Sequence, residues 1–476
     1  LNTFFLMIQD GIKKIFSIFF LILLARILNQ DDFGYYQQII LVVNVFAMIF
    51  IAGMPTALNY FYAELLDKTK GKQLFQRFFL LQIIIILFGV FILLCLSYLI
   101  STGFKNTYIY DYSIFISLIF VGLVLPEFFR NSSVTLNKMK DYTIITSSIQ
   151  IITILIISFV AIKTQNIIDL IIISSISSIL LVTILLLNNR KNFTPWLINY
   201  KNFKFNKNEI SYIIAMSSTA FVGMINSYTD QIMTSLLLSP VEYSLLKVAA
   251  FQIPFISIVT GSLLTAMIPL ITAYYKKGKF EKIQQIWSNS IEKATVLLVP
   301  IIIFCLVFGK EVIINFFGIK YQDSVIVFQI YMLQWLRAVV IFGGVMGAIG
   351  LEKALFKNTI TMMLVNIVVN YFMIIKFGII GAAITTTLLN YIGCYPLIKK
   401  INEVLPDKFS SYFPFKTYIF IFVVSIGCCL ILRFNINSID IFELIYISIL
   451  YYMFIIILWL KYKKQNVTID NIKGLL

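Results

Sequence analysis

Six charged side chains stand where an apolar sequence has little tolerance for charge: Asp10, Lys13, Lys14, Asp230, Lys247 and Arg337. Each lies inside a run of about 20 apolar residues, and an ionised group at that depth of a bilayer costs roughly 3 kcal/mol or more, so by default it faces a cavity or a partner. Four of the six are cationic and two acidic, a balance that favours an anionic cargo and repels a cationic one. The chemistry this permits is the binding and gating of charge. No histidine is present, and the five cysteines all fall in apolar runs as small packing residues. Neither a catalytic group, a metal site nor a cofactor is therefore expected.

Spacing separates these groups. Asp10 precedes Lys13 and Lys14 by three and four residues, the helical order for a local ion pair that leaves one lysine available. The apolar stretch that follows, 15–25, is only about 16 Å long as a helix, so the inner half of this first segment needs shelter. The two lysines are either a cationic cavity wall or the snorkelling start of a span. Arg337 sits roughly 18 Å into its run, near the bilayer midplane, and is read as cavity-facing or as paired with backbone carbonyls or an acid of another helix. Lys247 and Asp230 lie on consecutive runs, roughly 9 and 12 Å from the same face. A structural pair between them, ligand contact and a breakable gate all fit. Asp230 is the deepest acid outside the first segment, which makes it, with Asp10, the candidate for gating or for coupling to protons or sodium. Arg26, Glu64, Glu127 and Arg130 stand near the ends of runs and are read as interfacial.

The elements that must position these groups are transmembrane helices. The chain is 60% hydrophobic and 13% charged, against roughly 25% charged in soluble domains. Apolar runs predict about fourteen spans, near 4–28, 36–62, 76–100, 108–129, 142–162, 167–187, 211–238, 242–274, 287–308, 325–350, 354–375, 379–397, 416–433 and 440–460. Pro55, Pro126, Pro254, Pro269, Pro300 and Gly343-Gly344 interrupt them, where bending or merely tolerated kinks are expected. The connecting loops are short, the longest being 188–208. The net charge of +16 is a topology signal. Alternate loops and the tail hold about 27 of the Lys and Arg, the opposite loops about six, which puts both termini in the cytoplasm and argues against nucleic-acid binding.

The chain also repeats itself at an offset of about 210 residues. The turn at 28–36 lies opposite 238–246, each an acid followed by an aromatic residue, and Gly53-Met-Pro-Thr-Ala lies opposite Gly261-Ser-Leu-Leu-Thr-Ala. Six spans per half give halves of like topology, related by an axis along the membrane normal with a cavity between them. The domains expected are an N-terminal lobe at 1–208, a C-terminal lobe at 209–400, and two appended spans with a basic tail at 401–476.

Leu24-Ala-Arg-Ile-Leu-Asn-Gln-Asp-Asp-Phe-Gly-Tyr-Tyr36, followed by Gly53-Met-Pro-Thr-Ala-Leu-Asn-Tyr-Phe-Tyr-Ala-Glu64, resembles the N-terminal signature of the polysaccharide transporter family. These are the Wzx-type flippases of the multidrug, oligosaccharidyl-lipid and polysaccharide exporter superfamily. One departure is Asn29-Gln30, where the family commonly shows Gly-Pro. The resemblance implies an all-α membrane fold like that of multidrug exporters, with fourteen helices as six plus six plus two. It also implies movement of undecaprenyl-diphosphate-linked oligosaccharide from the cytoplasmic to the outer leaflet of the bacterial inner membrane, feeding O-antigen, capsule or exopolysaccharide assembly. Membrane lipids, a polysaccharide polymerase and assembly proteins are the implied partners. On that reading Lys13, Lys14, Lys247 and Arg337 contact the diphosphate. Tyr60, Tyr62, Tyr228 and Trp335 have rings suited to sugars, but among so many aromatics none is assigned a site. There is no Walker A sequence, so a gradient, the membrane potential or downstream polymerisation supplies direction. A multidrug or peptidoglycan-precursor exporter of the same superfamily and a non-transporting scaffold are the alternatives.

Overall fold

The computed structural model describes residues 2–51, 53–63, 68–135, 138–193, 205–435 and 440–473. Among them every regular element is a helix, and the chain packs as two compact units, Leu1–Ser244 and Leu245–Leu476. Glu64 lies outside the described residues.

The first unit contains α1 (Asn2–Ile27), α2 (Gln30–Ile51), α3 (Met54–Ala63), α4 (Lys68–Phe104), α5 (Tyr108–Asp111), α6 (Ser113–Thr135), α7 (Met139–Thr164), α8 (Ile167–Phe193) and α9 (Lys207–Leu237), and runs into α10 (Pro240–Ala249). Helix α6 is its centre, packed on α2, α4 and α8, with α1 laid against α7. Small residues set these distances, as they do where lipid removes the hydrophobic drive for helix association. A Cβ on Gly122 of α6 would stand 2.3 Å from Ser178 Cβ of α8. The span expected over 36–62 is broken between α2 and α3, and the freed Gly53 N–H donates to Ser217 Oγ of α9 at 2.9 Å. Gly53 allows this approach, since a Cβ there would lie 2.3 Å from Met216 Cβ.

The second unit continues α10 and holds α11 (Pro254–Lys276), α12 (Phe280–Val307), α13 (Gly309–Phe317), α14 (Ser324–Trp335), α15 (Phe342–Ala348), α16 (Glu352–Ile392), α17 (Cys394–Val404), α18 (Phe409–Tyr412), α19 (Phe415–Asn435) and α20 (Ile441–Lys473). Helix α12 is its core, buried around Trp287, and the appended pair α19 and α20 packs on it.

Twelve helical stretches among the described residues are long and apolar enough to cross a membrane. One of them, Glu352–Val404, has 53 residues, about 80 Å of helix and more than twice a bilayer's hydrocarbon. It breaks at Gly378, at φ 57° and ψ −139°, into two crossings. Helix α1, whose 26 residues include Asp10, Lys13, Lys14 and Arg26, is not among the twelve, and the described helices are roughly consistent with the expected fourteen. Large apolar side chains such as Leu87, Phe91 and Leu99 of α4 stay exposed in the isolated chain, as a lipid-facing surface requires.

The repeat is built into the helix starts. Gln30, Lys68, Ser113 and Met139 are matched by Pro240, Phe280, Ser324 and Glu352, an offset of about 210 residues throughout. Matching turns carry matching caps. Asn29 Oδ1 accepts the Asp32 N–H at 2.7 Å while Asn29 Nδ2 donates to Asp32 Oδ2 at 2.8 Å. Ser239 Oγ accepts the Glu242 N–H at 3.2 Å, and Glu242 Oε2 accepts the Ser239 N–H at 3.0 Å. Each acid therefore sits at the third helical position; Ser239 and Glu242 close a full capping box, while Asp32 accepts from the Asn29 side-chain amide, and Asn29 still caps the helix start where Gly-Pro was expected. The correspondence of Gly53 with Gly261 does not extend to shape: Gly53 marks a break, whereas Gly261 lies inside α11, and the break of that span falls earlier, at 250–253. Compact units and repeats also divide differently, because α9, which opens the second repeat, packs with α2, α3 and α4.

Candidate functional site

Two polar clusters interrupt the apolar interior, one in each unit. In the first, the expected pairing of Asp10 with Lys13 and Lys14 is replaced by a tertiary one. Arg130 Nη2 of α6 lies 2.9 Å from both Asp10 Oδ1 and Oδ2, and its Nη1 donates to Glu127 Oε1 at 3.0 Å. Asn131 Nδ2 adds a bond to the same Glu127 oxygen at 3.2 Å. Arg130 and Glu127, expected at the interface, thus complete a cluster. The reason is geometric: a planar guanidinium satisfies two carboxylates at once, which a lysine four residues along the same helix does not. Beneath it Tyr142 of α7 donates to the Pro126 carbonyl at 2.8 Å, tying α7 to α6. Lys13 and Lys14 are exposed on α1, and Lys13 makes no ion pair among the described residues. Asp230 lies half-buried on α9 in the same unit.

The second cluster surrounds Arg337. The expected continuous span at 325–350 is broken: α14 gives way to a tight turn of 3-10 helix at Leu336–Val340, and Ile341 takes a left-handed φ of 54° before α15 resumes. Gly343 and Gly344, the expected bending point, lie just beyond the break, inside α15. A Cβ on Gly344 would stand 1.9 Å from Leu264 Cδ2, so that glycine serves close packing on α11. Freed backbone groups are satisfied by side chains, as hydrocarbon demands. Trp287 Nε1 donates to the Val340 carbonyl at 2.7 Å, Tyr391 Oη to Leu333 at 2.6 Å and Thr387 Oγ1 to Ile330 at 3.1 Å.

Arg337 projects from this break and is half-buried. Its Nη2 donates to Asn390 Oδ1 at 3.2 Å and its Nη1 lies 3.8 Å from Cys394 Sγ. Asn390 is oriented in turn, its Nδ2 donating to Gln334 Oε1 and to the Thr386 carbonyl, both at 3.0 Å. All these partners are neutral, so among the described residues no acid cancels the charge. Cys394, read as a packing residue, belongs to this cluster. Lys247 sits half-buried near the end of α10.

Sequence reasoning missed Asn390, Gln334 and Trp287 around the break, and the pair of Arg77 with Glu209. Arg77 Nη2 lies 2.6 and 2.7 Å from the two Glu209 oxygens, and its guanidinium carbon lies 4.9 Å from the Phe205 ring centroid. Glu209 also accepts the Asn206 N–H at 2.8 Å. The available signal was Asn206 three residues before Glu209 ahead of an apolar run, a helix start with an acid at its third position.

With both clusters placed, comparison with known proteins becomes decisive at one point. The family model for polysaccharide biosynthesis protein matches residues 1–275, more than half of the chain. The chain belongs to this family. Its fold is shared with solved structures: a lipid II flippase, MurJ, in an inward closed conformation, with a TM-score of 0.74 over 97% of this chain and 99% of that one at 17% identity. A multidrug resistance MATE transporter in an inward-facing conformation gives 0.62 over 82% and 94% at 12% identity. A curated relative, the probable low-salt glycan biosynthesis flippase Agl15 of Haloferax volcanii, is 27% identical over 128 residues. That match spans about a quarter of each protein, 26% of this chain and 27% of the relative. This family member is a multi-pass membrane protein built on the MurJ and MATE fold.

Proposed function

We propose that the chain is a flippase carrying undecaprenyl-diphosphate-linked oligosaccharide repeat units from the cytoplasmic to the outer leaflet of the bacterial inner membrane, by alternating access. The observation that carries this reading is Arg337: a guanidinium at a helix break inside the membrane-spanning region, held only by the neutral Asn390 and Cys394 among the described residues. An unneutralised cation at that depth is expensive unless an anion visits it, and a diphosphate provides one with charge-assisted hydrogen bonds. Membership of the polysaccharide biosynthesis family and the partial likeness to a glycan flippase support the same cargo class.

Lys13, Lys14 and Lys247 are the further cationic candidates for contact with a diphosphate. Asp10, held by Arg130, and Asp230 are the groups through which a proton or sodium gradient would act. The lobes at 1–208 and 209–400 move with the pair at 401–476 appended, both termini lie in the cytoplasm, and the product passes to a polymerase and its assembly proteins. A drug exporter for cations is disfavoured by the same arginine. A peptidoglycan precursor presents an equivalent diphosphate, so competition between the two lipids separates those cargoes. Deletion followed by leaflet-resolved analysis of lipid-linked sugars tests the reading. Accumulation on the cytoplasmic leaflet, reversed by the wild-type chain, is expected; no accumulation would contradict it.

A further inference from the structure

Helix α4 ends at Phe104, and the chain turns through Lys105, whose φ of 53° is left-handed, before α5 begins at Tyr108. The turn is fastened from inside. Ser101 Oγ donates to the Asn106 carbonyl at 2.9 Å, and buried Asn106 donates to the Tyr35 carbonyl at 3.1 Å and to Gln38 Oε1 at 3.0 Å, which ties it to α2. A cleft of about 460 Å³ opens between the last turns of α4 and α5. Its walls include Tyr98, Thr102, Lys105, Thr107, Tyr110 and Asp111.

Three features define what this cleft accepts. The Tyr98 and Tyr110 rings meet edge to face at 5.7 Å and are 62% and 53% exposed. Lys105 and Asp111 are both exposed on the cleft, yet neither makes an ion pair among the described residues. The threonine hydroxyls add acceptors, Thr102 Oγ1 spending its proton on the Tyr98 and Leu99 carbonyls at 3.1 and 2.9 Å. One cation and one anion sum to zero, so the cleft does not favour a phosphate. Apolar ring edges beside strong hydrogen-bonding groups suit a neutral polyhydroxylated ring, which offers C–H groups to the aromatics and hydroxyls to the charges. Interfacial anchoring explains tyrosines placed singly at a membrane surface; it does not explain an unpaired ammonium and carboxylate in the same cleft.

We propose that this cleft is a subsite for the sugar portion of the cargo, a neutral oligosaccharide held at the outer surface after the headgroup has crossed. The proposal rests on the flippase reading and on the orientation that places the Lys105 turn outside. Its test uses the full chain in phosphatidylethanolamine and phosphatidylglycerol nanodiscs, with the repeat oligosaccharide freed by mild acid from the producing cell's lipid-linked pool as the probe, and binding read by saturation-transfer NMR. The wild-type chain binds. The double variant Tyr98→Ala with Tyr110→Ala loses about tenfold in affinity or more, whereas Tyr98→Phe with Tyr110→Phe stays within about threefold. Tyr446→Ala, an exposed tyrosine elsewhere on the surface, leaves binding unchanged. No binding by the wild-type chain, or equal binding by the alanine double variant, overturns the subsite. Leaflet transport that continues in either case leaves the flippase reading standing.

Discussion

Arg130 of α6 holds Asp10 of α1 through one nitrogen, Nη2 lying 2.9 Å from each carboxylate oxygen. The same guanidinium bonds Glu127, so it is the shared counter-charge of two acids. Arg130→Ala leaves those acids facing each other and is expected to cost about 2 kcal/mol, whereas Asp10→Asn, at a carboxylate about half exposed, costs about 1 kcal/mol or less. A double-mutant cycle read by unfolding in detergent checks this; additive effects would mean that the contact carries no coupling.

The pair of Arg77 and Glu209 is the more buried, with side chains 23% and 8% exposed. Removing one partner strands the other charge, so Glu209→Ala is expected to lower stability by about 3 kcal/mol. Glu209→Gln costs less, because an amide still accepts the Asn206 N–H that closes the start of α9. High salt leaves the wild-type midpoint nearly unmoved, since a buried pair is poorly screened. A midpoint falling steeply with salt would place this pair at the surface.

Gly34 belongs to the N-terminal signature for a packing reason. A Cβ there would stand 2.2 Å from the Pro240 carbonyl oxygen and 2.7 Å from its carbon. Backbone cannot rotate away as a side-chain tip does, so Gly34→Ala is expected to cost about 2 kcal/mol and to reduce membrane abundance. Thermal midpoints and quantitative blotting read the effect, and an unchanged variant would show that the two backbones do not meet.

What the sequence disclosed and what it withheld follow from the range of the forces involved. Apolar runs report directly on bilayer thickness, so the spans, the repeat and the acids of the matching turns at Asp32 and Glu242 were legible. Asp10 shows the limit. Its spacing to Lys13 and Lys14 is a correct local rule, but a guanidinium 120 residues away satisfies two acids together and prevails. The break at Leu336–Val340 was hidden for a different reason. No proline or glycine marks Leu336-Arg-Ala-Val-Val-Ile341, and the carbonyls left unmet at and before the turn are satisfied by Trp287, Thr387 and Tyr391 of other helices, which donate to them. Arg337 itself was legible as a charge at depth. Its neutral partner Asn390, 53 residues later, was not, because an asparagine in an apolar run carries no signal of which way it faces.

The central claim is that the charge of Arg337 engages the anionic headgroup. It is tested most directly by measuring leaflet transfer of the lipid-linked oligosaccharide in vesicles containing the wild-type chain, Arg337→Lys or Arg337→Gln. The lysine variant is expected to retain transfer in part, because it keeps the charge but loses the planar donor geometry. The glutamine variant, present at normal abundance, is expected to lose about a hundredfold, the scale of a lost charge-assisted contact. Transfer by Arg337→Gln at the wild-type rate would contradict the account.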